Sequence, residues 1–185
     1  MNASPRDPLL TLEPLIEAIR AGIEDSGWEL SGLQKTTSHQ FEGRWAGDST
    51  RSAYLFVPRP SGAEGASIDV YLDETPRGLA GNLALVVDSR DLSGLGDVPS
   101  ALGTLGGIST DALPEGYRTP LTLRLRLDRG QEVGEASSEI RFKLRIPRAA
   151  FEAGADSIAA LAGSTVSAFQ ELLSDERLGT FLDEE

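Results

Sequence analysis

Cysteine is absent from the 185-residue chain, and His39 is its single histidine. These two gaps remove thiol nucleophiles, disulfides, cysteine-ligated metals and any site built on two histidines. Also missing are the phosphate-cradling G-x-x-x-x-G-K-[ST] run, the G-x-S-x-G nucleophile elbow and the D-x-D-x-D-G calcium loop. Gly94-Leu95-Gly96 begins like a dinucleotide fingerprint. Pro99 occupies the place of its third small residue, and no parallel βαβ setting surrounds it. No stretch approaches the ~18 uninterrupted apolar residues of a membrane span. Residues 1–8 lack the basic-then-apolar pattern of a signal peptide. Lysine is scarce, with Lys35 and Lys143 among 17 bases, a bias that fits a GC-rich bacterial genome. The expectation is a cytoplasmic protein with no cofactor and no metal.

What is present belongs to a folded domain. The chain is 39% hydrophobic and 25% charged, within the range of globular proteins. Its length suits one core without disulfide or metal staples. With 29 acids against 17 bases, the net charge is −12. That field disfavours nucleic acid and anionic membranes as partners.

Residues 1–8 read as a frayed leader, 9–182 as one α+β domain and 183–185 as a frayed acidic tail. Thr11 offers an N-cap for a helix whose Leu12, Leu15, Ile16, Ile19 and Ile23 form one apolar stripe, closed at Gly27. Strands follow. His39, Phe41 and Trp45 share one face of a segment and Gln40, Glu42 and Arg44 the other, with Gly47-Asp48-Ser49 read as a turn. Ala53 to Val57 reads as a central strand. Ile68, Val70 and Leu72 alternate with Asp69, Tyr71 and Asp73, and Leu83, Leu85 and Val87 head a further strand after a turn at Thr75 to Gly78. Residues 89–119 form a glycine- and leucine-rich excursion in which Asp97 caps a short helix over about Val98 to Leu105.

The clearest pattern comes late. Leu121, Leu123, Leu125 and Leu127 alternate with Thr122, Arg124, Arg126 and Asp128. Ile140, Phe142, Leu144 and Ile146 alternate with Glu139, Arg141, Lys143 and Arg145. The two runs predict a long antiparallel hairpin with one dry and one wet face. A last helix keeps its spacing from Phe151 to Leu173, with Gly154 and Gly163 inside it, excused by close packing on the sheet. The sum is an antiparallel sheet of about six to seven strands. An N-terminal amphipathic helix and a long C-terminal helix cover one face, giving a two-layer sandwich. This layout is similar to that of helix-grip proteins and of secretion-type chaperones.

Two constellations bear on function. His39, Glu42, Arg44 and Asp48, with Arg51 nearby, hold a potential base, carboxylates and an anion clamp. Period-two geometry sends His39 away from Glu42 and Arg44 unless a bulge intervenes. A metal site of scattered carboxylates has no motif behind it, and Asp69 and Asp73 are better placed to face arginines on a neighbouring strand. The second constellation is Arg124, Arg126, Arg141, Lys143 and Arg145, on the wet face of the late hairpin. Between Arg118 and Arg148 stand eight bases and four acids, a balance of +4 against −16 for the rest. Such a patch is either compensated internally, by Asp69, Asp73 or Glu42, or offered to an acidic partner. The leading reading is a non-enzymatic protein-interaction module, an adaptor, assembly factor or client-specific chaperone, that uses this basic hairpin face and the glycine- and leucine-rich loop of 89–119 as contact surfaces. It would bind an acidic protein surface or a second copy, and neither nucleic acid nor membrane. Two alternatives stay open: a carrier of a small apolar ligand between curved sheet and last helix, and a hydrolase or lyase using His39 and nearby acids.

Overall fold

The computed structural model of the chain describes residues 10–42, 44–60, 65–89, 97–115, 119–132 and 136–181, and their side chains except at 38–49 and 89. The expected leader and tail lie outside this description. The order is α1 (Leu12–Asp25), β1 (Gly32–Glu42), β2 (Arg44–Pro58), β3 (Ala66–Thr75), β4 (Gly78–Ser89), α2 (Val98–Ala112), β5 (Leu121–Arg126), β6 (Ser137–Arg145), α3 (Arg148–Ala153), α4 (Ala155–Ser174) and α5 (Glu176–Gly179). The strands form one six-stranded sheet in the order β1-β2-β3-β4-β6-β5. Every pairing is antiparallel.

Period-two alternation sorts the sheet into two faces. Leu55, Val70, Leu85 and Phe142 fall on one of them and are fully buried. Helices α1 to α5 all add residues to this same core, among them Ile19, Leu105, Ala150, Phe169 and Leu178. The fold is therefore the α+β two-layer arrangement read from the sequence, with α4 packed on the sheet. The opposite face is built differently. Ala84 and Val86 there are buried, yet neither belongs to the core cluster under the helices. By register Ala84 stands between Asp69 and Lys143, and Val86 between Ser67 and Arg141.

Small residues set the helix layer. A Cβ on Gly22 of α1 would overlap the backbone oxygen of Ala159 in α4 and stand 2.9 Å from the Ala162 methyl. A Cβ on Gly163 would meet the Gly22 oxygen at 3.3 Å. The Ser26 hydroxyl donates to the Gly22 carbonyl at 3.0 Å and lies 3.4 Å from that of Gly163. Thus Gly163 is tolerated because α1 crosses α4 there, and the sheet is not its neighbour.

Several expectations are corrected. Gly47-Asp48-Ser49 is no turn: Ser49 pairs with His39 inside a ribbon whose ends meet at Glu42 and Arg44. Partner strand backbone overrides the turn composition. Thr11 does take the N-cap position of α1, but its side chain makes no cap bond. Helix α2 runs seven residues past Leu105, because Ile108 and Ser109 are buried on the same side as Leu105. The Asp97 carboxylate accepts from the Ser100 amide at 3.0 Å and caps it as expected. Gly154 does not lie within a helix. Its φ of +95° parts α3 from α4, a conformation that favours glycine. The dry face of β5 ends early, since Leu125 and Leu127 at the sheet edge stay exposed.

Gly22→Ala gains helix propensity but forces α1 away from α4, and overpacking of this kind costs about 1–3 kcal/mol. Urea unfolding is expected to show a net loss of about 1–2 kcal/mol, with Ala21→Gly, an exposed site on the same helix, losing about 1 kcal/mol by propensity alone.

Candidate functional site

The helix-free face is organised in cross-strand rows fixed by register. Tyr54, Tyr71, Asn82 and Arg145 form one row, and Phe56, Asp69, Ala84 and Lys143 the next. Pro58, Ser67, Val86 and Arg141 follow, and Asp88, Glu139 and Arg124 lie beyond.

A polar network crosses these rows. The Tyr54 hydroxyl donates to Asp69 at 3.1 Å. Arg141 reaches Asp69 at 3.3 Å and Glu139 at 2.7 Å, and Arg124 reaches Glu139 at 3.2 Å. Asp69 is only 5% exposed. Burial pushes its carboxyl above the usual range, and the Tyr54 hydroxyl and the Arg141 charge recover only part of that. Tyr54 is pushed up to about 12, first by burial and then by the Asp69 charge. Burial likewise raises Asp88. Glu139 moves the other way, held below the carboxylate range chiefly by its hydrogen bond from Arg141. Arg141 is raised in turn, mainly by Glu139.

This geometry bears on both readings of the five-cation patch. All five basic residues do share the helix-free side, by register with one another and with β4. Three of them are neutralised within the molecule: Arg141 by Glu139 and Asp69, Arg124 by Glu139, and Arg126 by Asp128. Arg141, with a side chain 19% exposed, is a part of the sheet's fabric. Lys143 stays half-buried and Arg145 exposed. The expected pairing of Asp69 with an arginine occurs, although Arg141 stands two strands away across β4.

Beside the network lies a groove of about 420 Å³ bounded by Gln34, Thr36, Ser52, Tyr54, Tyr71 and Asp73. The two tyrosine rings lie 4.9 Å apart at 38°, and the Ser52 hydroxyl donates to Asp73 at 2.6 Å. Two π faces, a carboxylate and several carbonyl or hydroxyl acceptors suit a cationic hydrogen-bond donor. The reading of Ala53 to Val57 as a central strand, buried on both sides, gives Tyr54 no role. An aromatic out of phase with Ala53, Leu55 and Val57 was the available signal.

The other constellation sits on the β1–β2 ribbon. β2 pairs with β3 only over Arg51–Pro58, so residues 38–50 run past that pairing. The side chains of His39, Glu42, Arg44 and Asp48 lie outside the described residues. Arg51 is committed elsewhere: it bonds Glu74 and reaches Glu13 at 3.0 Å, tying β2, β3 and α1 together. Among the described residues, no cluster of three metal-ligating side chains forms and no helix is long and apolar enough to cross a membrane. Between sheet and helices, Leu55, Val70, Phe142, Ile158, Val166 and Phe169 have no accessible surface, so these residues line no space large enough for a water. Comparison of the chain with family models, curated proteins and solved structures finds no match.

Arg141→Met keeps the stem but leaves Asp69 without its cation. Breaking a buried pair from one side costs about 3–5 kcal/mol, and partial exposure scales this to about 2 kcal/mol in urea unfolding.

The pH response of Asp69 has a definite sign. Its folded-state pKa lies above the unfolded value, so the folded protein holds the proton longer, and stability falls as pH rises from about 4 through the raised value. Glu139 acts oppositely: its contribution is present above an unfolded value of about 4.3 and is lost as pH falls through the depressed one. Asp69→Asn removes the first effect. Wild-type stability relative to this variant should therefore decline on raising pH from 4 and then level off, measured by urea titrations across that range.

Proposed function

We propose that the chain is a protein-interaction module that docks partners on the helix-free face of its sheet, with no catalytic step. The carrying observation is the one-sided cover: all helices bury the same face, while the other presents Phe56 and Tyr71, 37% and 39% exposed, in a mesh of paired charges. An antiparallel sheet tolerates one wet face. Exposed aromatics next to a desolvated arginine–carboxylate network are what protein interfaces use as anchors. Tyrosine adds apolar area with few rotors to freeze and a polar tip to satisfy. The network also fixes the rings in place before any partner arrives, which lowers the cost of association.

Charge supports a protein partner over a polyanion. At −12 overall, the molecule repels nucleic acid. Among the described residues of the helix-free face the balance differs: Arg124, Arg126, Arg141, Lys143 and Arg145 stand against Asp69, Asp73, Asp88, Asp128 and Glu139. The apolar-carrier reading is not adopted, since the core residues that would line its cavity touch no empty space.

The test is site-specific photo-crosslinking in the source cell. A benzoylphenylalanine in place of Phe56 or of Gln34, an exposed residue at the groove, is expected to yield protein adducts that weaken as salt is raised. The same group at Ala21, on the exposed side of α1, should yield none. Equal adducts from Ala21, or none from the sheet face, would refute the proposal.

A further inference from the structure

We infer that the occupant of the helix-free face is a second copy of the same chain, bound face to face about a two-fold axis. This inference rests on the docking-surface reading above and goes further by naming the partner. Three observations carry it.

The first is register. Arg145 stands in the same cross-strand row as Tyr71 and Tyr54, with Asn82 between. An axis parallel to the strands and passing between β3 and β4 maps β6 of one copy onto the gap between β2 and β3 of the other. It therefore sets Arg145 of one copy over the Tyr54–Tyr71 pair of its mate. The same operation sets Lys143 over Phe56 and Asp69, its own row. A closed isologous contact requires such a match, in which each patch meets its complement twice.

The second is chemistry. The groove by Tyr54, Tyr71 and Asp73 offers ring faces, a carboxylate and acceptors and has no cation among its lining residues, although Arg141 hydrogen-bonds Tyr71 beside it. Arg145 is an exposed cation for which no described acid is a salt-bridge partner. Arginine stacks on aromatic faces while its fork bonds a carboxylate, so one side chain meets both demands.

The third is field and size. A molecule of net charge −12 can approach its own copy only where its charges balance. The helix-free face, with five bases against five acids among the described residues, is such a place. Six strands about 4.8 Å apart and about eight residues long span roughly 25 Å by 25 Å. That is the order of the ~800 Å² each partner buries in a stable dimer. Near the axis lies Asn82, whose side-chain oxygen is buried without a partner within one copy.

Sedimentation equilibrium of the full chain tests this. Wild type is expected to dimerise, and Arg145→Glu and Asp73→Arg should each raise the dimer dissociation constant about tenfold or more. Mixing the two variants is expected to restore a heterodimer, because both cross-pairs then carry opposite charges; recovery also shows that both variants are folded. Three results would overturn the inference: a monomeric wild type, a dimer that neither substitution weakens, or two weakened variants that do not recover on mixing. A monomeric wild type whose photo-crosslinks reach another protein would sink the dimer and leave the docking face standing. Absence of adducts from that face would sink both.

Discussion

A six-stranded sheet has two faces to account for, and here the helices cover one. Crossing of α1 over α4 through Gly22, Ala159, Ala162 and Gly163 brings both helices down onto the same side. Helices α2, α3 and α5 add buried residues to that layer. What remains is a broad sheet surface that must stay ordered without a second layer. The Arg141 network supplies that order. It binds Asp69 of β3 to Glu139 of β6 over the intervening β4, while Tyr54 brings in β2 and Arg124 brings in β5.

Such a network is a poor way to gain stability alone, because desolvating the charges offsets most of their attraction. It is a good way to hold side chains at fixed positions on an open surface. Asp69 carries the penalty, visible in the upward displacement of its carboxyl and of Tyr54. The aromatic rings beside it gain a rigid setting. The apolar burial is concentrated in the dry layer and the ordered polar contacts on the wet one.

How much of this was legible in the sequence follows from which interactions are local. The alternation of β5 and β6 and the stripes of α1 and α4 depend only on period and burial, so Leu123, Phe142, Ile19 and Phe169 were readable directly. Gly154 and Gly163 look alike in a helical run. One sits at a helix break with positive φ and the other at a helix crossing, and only three-dimensional neighbours separate them. The same holds for charge. Arg141 and Arg145 have equal standing in the alternating pattern, yet the first is spent on Glu139 and Asp69 while the second faces outward. Pairing across β4 is a tertiary fact that no spacing rule encodes. Tyr54 was missed because a strand flanked by Ala53, Leu55 and Val57 looks wholly apolar until the faces are separated.

The central claim is that recognition happens on the helix-free face. Hydroxyl-radical footprinting of the protein, dilute and then concentrated or with its crosslinked partner, reads this residue by residue. Tyr54, Phe56 and Tyr71 should become protected on association, while Leu102 on α2 and Leu127 beyond β5 keep their reactivity. Unchanged labelling of the three aromatics, with protection of Leu102 or Leu127 instead, would contradict the account.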